Sequence, residues 1–364
     1  MSPDCDVVVV GGGVAGSATA IALSRLGCSV VLLERSNGAP PRFGEALTPD
    51  ARPVLTSLGV WDRFLSGGHS PSFGIQSCWG QSEPYQQDFI RSPYGTGWNL
   101  DRARFDGMLF ESARDAGART FSPATIVSPE LRCGTWHFEV GGAWGAFPLR
   151  AKFLVDATGR RAAMARAQGA RSIVCDRLLA VAAQYGPVLP VRESHSTILI
   201  EAVENGWWYS VSTPEDKIAV AYLTDSDQLP RDGGRFRFWP RLIGEARHTF
   251  DRIRGRILLG RPSAISAHTS CMESASGENW LAVGDAAASL DPLSSHGIHK
   301  SLRSGIAAAD AIRRHFNADE NSLGEYTQNL QAQFTRYLIK RRWYYARERR
   351  WTRSPFWTRR APVS

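Results

Sequence analysis

The sequence predicts an α/β fold in which a Rossmann-like dinucleotide-binding domain is interleaved with a smaller antiparallel β-sheet domain and followed by a helical arm. Three observations predict it. The chain opens with a strand, a glycine-rich turn and a helix. Two apolar strands far downstream end in an acid close to a glycine. Between the glycine-rich turn and the last of these strands lie aromatic segments in which apolar and polar residues alternate over short runs, as is typical of antiparallel strands.

The opening segment is predicted to begin one βαβ unit. Cys5–Val10 is an apolar run rich in β-branched residues, which is typical of a strand buried on both faces. In the glycine-rich turn that follows, Gly11 allows a tight bend, Gly13 lets the backbone approach a pyrophosphate, and Gly16 lets the helix lie close to the sheet. The helix N-terminus then offers free N–H groups to phosphate.

The second strand of the unit is predicted at 29–33 and ends at Glu34. Glu34 follows Gly16 at close to the spacing of about 20 residues expected of a carboxylate that binds a ribose. Such a carboxylate would repel a 2′-phosphate, so the site favours FAD or NAD over NADP.

Composition limits the classes of protein. With 364 residues and 43% hydrophobic content, the chain is long enough for about two domains. No apolar run is long enough to span a membrane, and the first residues do not form a signal or transit peptide, so we expect a cytoplasmic protein. The six cysteines lie singly, without the spacing of a metal site or a disulfide framework, and we expect reduced thiols.

A second sheet is predicted from two separated segments. The first runs from Phe73 to Trp98, and the second contains strands at 197–201, 206–212 and 218–223. The expected boundaries are 1–72, 98–177 and 262–322 for the dinucleotide-binding domain, 73–97 and 178–261 for the substrate-binding β-sheet domain, and 323–364 for the arm.

Two more strand ends resemble the first. A helix is expected from Leu100, and short strands at 120–127, 136–140 and 147–150 lead to a buried strand at 153–156, which ends near Gly159. Another apolar strand ends at Gly284-Asp285 and leads into a helix that carries Ile298 and Leu302. A last helix is expected from about Leu323 to Trp351. One dinucleotide touched by several strand ends explains this pattern better than two separate sites.

At this point the chain resembles the FAD-dependent monooxygenases of the p-hydroxybenzoate hydroxylase type, whose FAD domain is of the GR2 type. Their landmarks are the GxGxxG turn, an Asp-Gly motif and a Gly-Asp motif, and the resemblance covers essentially the whole chain. It implies that the glycines hold the pyrophosphate, Glu34 the ribose, Arg102 the phosphate region, and Asp285 the ribitol or its phosphate. The residues expected to bind FAD are Gly11, Gly13, Val14, Ala15, Gly16, Glu34, Arg35, Arg102, Asp156, Gly159, Asp285, Pro292, Ser295 and Gly297.

Within this superfamily the chain resembles the tryptophan halogenases and, more closely, the monooxygenases that hydroxylate tryptophan in precursors of tryptophylquinone enzymes. The residues that suggest it are at 44–49, 97–102, 206–210 and 291–297. Halogenases of this branch use a lysine shortly after the Gly-Glu loop, whereas no lysine lies between Glu45 and Trp98. Where they have Pro-Leu-Glu-Ser-Thr-Gly, this chain has Ser294 in place of the acid and His296 in place of the threonine.

The resemblance therefore implies hydroxylation of an electron-rich aromatic substrate, an indole, tryptophan or phenol, through a flavin C4a-hydroperoxide formed with O2. His296 and Glu45 are the candidate catalytic residues, while His69 and His268 are expected to be structural. An aromatic-lined pocket would suit such a substrate, and its candidate residues are Trp79, Trp98, Trp207 and Tyr209. No second nucleotide motif is present, so either NAD(P)H binds transiently or a partner flavin reductase supplies electrons.

Arg and Lys, which give the chain its net charge of +8, concentrate between Arg336 and Arg360, among aromatic residues. Either a long helix packs its aromatics on the flavin domain and exposes its charges, or the arm binds an acidic peptide or carrier protein that presents the substrate. Nucleic-acid binding is disfavoured because no recognition fold accompanies the charge. A flavin-dependent halogenase, a flavin reductase or dehydrogenase, and a non-catalytic flavoprotein that binds an acidic partner stay open as alternatives.

Overall fold

A computed structural model describes residues 3–37, 45–142, 145–187, 196–230 and 236–361. Its strands are β1 (Cys5–Val10), β2 (Val30–Leu33), β3 (Glu45–Leu47), β4 (Ser70–Ser72), β5 (Gly74–Cys78), β6 (Tyr85–Asp88), β7 (Gly97–Leu100), β8 (Arg119–Phe121), β9 (Ala124–Arg132), β10 (Thr135–Gly142), β11 (Gly145–Asp156), β12 (Ser172–Val174), β13 (Leu178–Tyr185), β14 (Thr197–Val203), β15 (Gly206–Thr213), β16 (Lys217–Asp225), β17 (Leu258–Ser266), β18 (Ser270–Met272), β19 (Ser276–Gly277), β20 (Trp280–Ala282) and β21 (Ala288–Ser289). Its α-helices are α1 (Val14–Arg25), α2 (Ala51–Ser57), α3 (Trp61–Leu65), α4 (Arg102–Asp115), α5 (Ala163–Ala167), α6 (Trp239–Gly244), α7 (Arg247–Ile253), α8 (Gly297–Phe316), α9 (Ser322–Tyr345) and α10 (Pro355–Thr358).

The central sheet brings the predicted strand ends together. Its order is β19-β20-β11-β1-β2-β8, and β20, β11, β1, β2 and β8 run parallel. Val10 pairs with Asp156, and Asp156 in turn pairs with Ala282. The carboxyl ends of β1, β11 and β20 therefore meet at one edge, where open α/β sheets bind ligands.

Strand β11 differs from the prediction, which divided it into two short strands. It runs without a break from Gly145 to Asp156 because its first half pairs antiparallel with β10 while its second half pairs parallel with β1. No turn-forming residue separates the halves at Ala151 and Lys152. One strand thus belongs to a β-meander at one end and to the Rossmann-like sheet at the other.

The second sheet has the order β17-β13-β16-β15-β14-β5-β6 and is antiparallel apart from the β14–β5 pair. Because Thr197 of β14 pairs with Gly74 of β5, the two separated segments join as predicted. Trp98 is an exception: its strand β7 pairs with β3 and β4 in a separate small sheet. The α/β class with its antiparallel sheet is confirmed, and the domain boundaries stay predictions.

The end of the chain is built into the core of the second sheet. Helix α9 ends at Tyr345, before the predicted end at Trp351, and the chain then turns into α10. The turn packs Tyr345, Phe356 and Trp357, all buried, against Trp207 of β15. The prediction of one long helix was wrong at this end because the aromatic side chains past residue 345 pack back on the sheet.

The part of the chain that the structure describes contains no helix long and apolar enough to cross a membrane. Across the same residues, no cluster of three or more His, Cys, Asp or Glu side chains is arranged to hold a metal ion. The six cysteines are free thiols. The cytoplasmic location stays a prediction.

Candidate functional site

A cavity of about 840 Å³ lies at the edge where β1, β11 and β20 end. It extends from β2 and β9 on one side to the start of α8 on the other. Most of the residues expected to bind FAD line it, together with one of the two candidate catalytic residues. They are Gly11, Gly13, Val14, Ala15, Glu34, Arg35, Glu45, Arg102, Gly159, Asp285 and Gly297.

The first turn is shaped by glycines that leave no room for a side chain. Gly11 has φ +112°, and a Cβ atom there would lie 2.3 Å from the carbonyl oxygen of Ala157. A Cβ atom on Gly16 would lie 1.8 Å from the carbonyl oxygen of Gly11. Gly16 itself does not line the cavity. It acts by letting α1 pack tightly against the turn, as the motif requires.

The N-terminus of α1 opens into the cavity. Gly13 is its N-cap, no side chain caps the helix, and its first turn contains no acidic residue. Val14 and Ala15 of that turn line the cavity. Unsatisfied N–H groups and the positive end of the helix dipole favour an anion at this point.

The carboxylate of Glu34 closes the same turn. Its Oε2 accepts a hydrogen bond from the N–H of Gly12 at 2.7 Å, and its Oε1 accepts one from the N–H of Ser36 at 2.9 Å. These bonds hold the carboxylate at the cavity wall, at the carboxyl end of β2. A carboxylate in this place suits the hydroxyl groups of a ribose.

Arg102 lies at the N-terminus of α4 and is only 4% exposed. Its guanidinium contacts Asp106 at 3.1 Å, one turn along the helix, and forms an ion pair with Glu45 across the cavity wall. Burial opposes the charge on Arg102, but Glu45 and Asp106 outweigh it and raise its pKa. The site thus holds a permanent cation whose orientation is fixed by two carboxylates.

Asp285 follows β20 and faces the cavity. The ammonium of Lys300, on α8, donates to its Oδ1 at 2.8 Å, and the guanidinium of Arg160 lies 3.6 Å from its Oδ2. Burial opposes the charged carboxylate, but Lys300 and Arg160 outweigh it and hold the pKa of Asp285 below its usual 3.8. Asp285 is therefore an ionised acceptor for hydroxyl groups at neutral pH.

Because folding lowers the pKa of Asp285, the free energy of unfolding of the protein without FAD should decrease as the pH falls. A carboxyl whose pKa is lowered on folding contributes stability above its unfolded pKa and loses that contribution as pH falls through the folded pKa. We expect the free energy of unfolding of Asp285→Asn to fall less than that of the wild type between about pH 5 and pH 3. Denaturant unfolding at a series of pH values measures this, and parallel curves would contradict it.

These features together fit FAD. The α1 N-terminus and Arg102 would hold the pyrophosphate, Glu34 the adenosine ribose, and Asp285 the ribitol. Gly297, where α8 begins, lines the opposite end of the cavity, and α8 too lacks a side-chain cap. A second set of backbone N–H groups is thus available where the flavin ring would lie.

Several expected residues lie outside the cavity lining. Asp156 is fully buried, and its carboxylate accepts hydrogen bonds from the N–H groups of Thr158 and Ala165, at 2.9 and 2.8 Å. These bonds hold the turn before Gly159, although Asp156 itself does not line the cavity. Pro292, Ser295 and His296 precede α8 without reaching the cavity, and Nε2 of His296 lies 3.7 Å from Oδ2 of Asp50.

The aromatic residues expected to line a substrate pocket are dispersed. Trp207 is fully buried, and its indole N–H donates to the Tyr345 hydroxyl at 3.1 Å. Trp79 packs edge-on against Trp207 and Trp357, while Trp98 packs against Phe64 in the other core. Trp207 thus belongs to a core, and Trp79 and Trp98 are partly buried and pack against the two main cores.

Tyr209 is the aromatic candidate placed beside the cavity-lining residues. Burial and the neighbouring carboxylate of Glu45 raise its pKa, and it forms a hydrogen bond with the backbone of Ala46. The phenol therefore stays protonated at physiological pH. It joins the second sheet to β3, which carries Glu45.

Sequence reasoning missed several cavity residues on α4. Asp106, Phe110 and Arg114 line the cavity along with Arg102. They follow Arg102 at intervals of four residues, so they lie on the same face of the helix. That spacing is visible in the sequence, and it could have been used once Arg102 was assigned to the site.

Comparisons with known proteins agree with this geometry. A sequence model of the FAD binding domain family matches residues 4–339. The putative FAD-dependent oxidoreductase LodB of Marinomonas mediterranea is 28% identical over an alignment of 364 residues that covers 99% of this chain and 97% of that protein. The 1H-pyrrole-2-carbonyl-[peptidyl-carrier protein] brominase of Pseudoalteromonas luteoviolacea is 26% identical over 330 residues, which cover 86% of this chain and 79% of that protein.

A similar fold occurs in the solved structure of QhpG, a peptidyl tryptophan dihydroxylase essential for tryptophylquinone cofactor biogenesis. The TM-score is 0.80 at 23% identity, and the match covers 99% of this chain and 79% of that one. The superfamily of flavoprotein monooxygenases and halogenases expected from the sequence is confirmed. Because the family model spans most of the chain, and the strand ends enclose a cavity that suits FAD, this protein belongs to the FAD-binding domain family.

Proposed function

We propose that this protein is an FAD-dependent monooxygenase that hydroxylates an electron-rich aromatic ring, an indole, tryptophan or phenol, in natural-product or cofactor biosynthesis. FAD, when bound and reduced, supplies the activation of O2 from which one oxygen atom enters the ring and the other leaves as water. Electrons come from NAD(P)H or from a partner flavin reductase.

The observation that carries the proposal is the placement of the four lysines. Lys300 donates to Asp285 and to the carbonyl of Ala288. Lys152 and Lys217 each pair with a surface carboxylate, at 2.7 Å, and Lys340 is exposed on α9. None of these ammonium groups lines the cavity. The lysine that the halogenase branch uses to position its halogenating agent therefore has no counterpart among them.

In the proposed reaction a residue of the loop before α8 transfers the proton. His296 is half-exposed beside Asp50, and Nδ1 of His299 lies 3.9 Å from the same Oδ2 of that carboxylate. Glu45 is less suited to act as a base because Arg102 engages its carboxylate. We therefore propose that His296, which precedes the cavity-lining Gly297 directly in the chain, transfers the proton, and that Glu45 orients Arg102.

The substrate is proposed to be carried by a peptide or a carrier protein. The brominase named above acts on a pyrrole held on a peptidyl-carrier protein, and QhpG acts on a peptidyl tryptophan. This supports presentation of the ring by a macromolecule and does not identify the macromolecule.

Isotopically labelled O2 tests the proposed reaction. The protein, FAD, a flavin reductase with NADH and a tryptophan-containing peptide are incubated under the labelled gas, with and without added bromide. We expect the peptide to gain mass by labelled oxygen, and His296→Gln to lower the rate by about a hundredfold while retaining FAD. An oxidation that only removes hydrogen would contradict the proposal.

Halogenation is the second candidate, and the name of the brominase relative favours it. The same incubation distinguishes the two reactions. A product whose mass increases only when bromide is present, without labelled oxygen, would assign the protein to the halogenases.

A further inference from the structure

Helix α9 packs into the fold along one stripe, which contains Tyr326, Phe334 and Tyr345, and much of the rest of the helix is exposed. Arg336, Ile339, Lys340 and Trp343 stand at positions i, i+3, i+4 and i+7 of α9, so they lie on one face of the helix, and Arg347 follows in the turn after its end. We call this the cationic face. Ile339 is 68% exposed and Trp343 is 56% exposed. An exposed apolar surface within a cationic one is typical of a site that binds a partner.

Among the described residues, the charges of the cationic face have no carboxylate partner, unlike several neighbouring arginines. Arg341, Arg350, Arg359 and Arg360 all bind carboxylates of the chain. Within the described residues, no carboxylate lies within ion-pairing distance of Arg336, Lys340 or Arg347. Within this segment the less exposed cations Arg341, Arg350 and Arg360 are thus neutralised, whereas those of the cationic face are available to a partner.

The ring of Trp343 and that of the neighbouring Tyr344 each have a cation over one face. The guanidinium of Arg347 lies 4.8 Å from the ring centroid of Trp343, and the ammonium of Lys340 lies 5.9 Å from that of Tyr344. A nucleobase binds such a surface by stacking on a free ring face. Covered faces disfavour stacking, whereas the cations held over them remain available to carboxylates.

The opposite face of the same helix contacts the loop that leads to the flavin end of the cavity. Asp291, which begins this loop, accepts hydrogen bonds from Arg341 Nε at 3.1 Å and from the Tyr345 hydroxyl at 2.7 Å. A partner on the cationic face would thus be separated from this loop by about one helix diameter, 10–12 Å. A flexible segment of the partner can span that distance.

We propose that the cationic face is the docking surface for an acidic segment of the protein that presents the aromatic substrate. Its cations would pair with Asp and Glu side chains, and Ile339 and Trp343 would contact apolar residues between them. This inference deepens the proposed function and depends on it only for the group that the partner carries. Binding itself can be measured without turnover.

The test uses charge reversal at three positions of the cationic face together. Removal of the chain after Arg342 would also remove Tyr345, Phe356 and Trp357 from the core, so truncation cannot isolate the surface. The test variant is R336E/K340E/R347E. The control is R166E/R171E/R261E, which changes the net charge equally at exposed arginines outside α9.

The probe is a short labelled peptide with one tryptophan among Asp and Glu residues, and a matched peptide carries Asn and Gln instead. We expect the wild-type holoenzyme and the control variant to bind the acidic peptide at least about tenfold more tightly than the neutral one, as measured by fluorescence anisotropy at low salt. We expect the test variant to lose this preference with its FAD content unchanged.

Equal loss of binding in both variants would overturn the proposal, because binding would then follow net charge alone. Retention of binding in the test variant would overturn it as well. Binding of single-stranded DNA and of anionic vesicles is measured in parallel. If the protein binds either of them more tightly than the acidic peptide, and only the test variant loses that binding, the cationic face is a site for that ligand instead. Failure of oxygen labelling with peptide binding intact would contradict the reaction and leave the docking surface in place.

Discussion

Replacement of Gly16 by alanine is expected to abolish stable FAD binding. The new methyl group would lie 1.8 Å from the carbonyl oxygen of Gly11 and 2.9 Å from the Cβ atom of Ala157, and neither neighbour belongs to a flexible side chain. The first turn and α1 must then separate. If an overpacking penalty of about 3 kcal/mol weakens the free energy of FAD binding by the same amount, the affinity falls by about a hundredfold. Titration of the apoprotein with FAD, followed by flavin fluorescence, measures the loss.

Gly324→Ala is the matched control. Gly324 lies on an exposed part of α9, and no atom lies within 4 Å of the position that a Cβ atom would take. Because alanine favours a helix more than glycine does, this variant should be more stable by up to about 1 kcal/mol and should bind FAD normally. Wild-type affinity in Gly16→Ala would show that the turn does not hold the cofactor.

Replacement of Arg102 by methionine is expected to have the second largest effect. It removes the cation from between two carboxylates, Asp106 and Glu45, the first of which is buried. Removal of one partner from a buried ion pair destabilises a protein by about 3–5 kcal/mol. The variant should therefore unfold at lower temperature and bind FAD weakly, as measured by thermal unfolding with and without FAD.

Arg104→Met controls for the loss of charge on the same helix. The side chain of Arg104 is 51% exposed, and its ion pairs with Asp101 and Glu215 lie at the surface. Its loss should change the free energy of unfolding by no more than about 0.5 kcal/mol. Equal destabilisation by the two variants would mean that Arg102 has no special place in the site.

The FAD site could be predicted from the sequence to a large extent because its signals are local. The tight turn at Gly11, the spacing from Gly16 to Glu34 and the strand ending near Asp285 each follow from a few neighbouring residues. These signals predicted that distant strand ends meet at a common edge. The pairing of Val10 with Asp156, and of Asp156 with Ala282, produces that arrangement.

The roles of the aromatic residues could not be predicted in the same way. Trp207 and Trp208 are adjacent on β15, so they point to opposite faces of the sheet, yet both are fully buried. Trp207 packs under the end of the chain and Trp208 packs under α6. The local sequence around the two residues indicates neither contact. Composition thus indicated an aromatic environment without distinguishing core from pocket.

A crystal structure of the protein with FAD would show whether this cavity is the cofactor site. We expect the pyrophosphate at the start of α1 beside Arg102, the adenosine ribose on Glu34, and the flavin ring at the end of the cavity formed by Glu45 and Gly297. A cofactor bound elsewhere, or crystals of a protein that takes up no FAD, would contradict it.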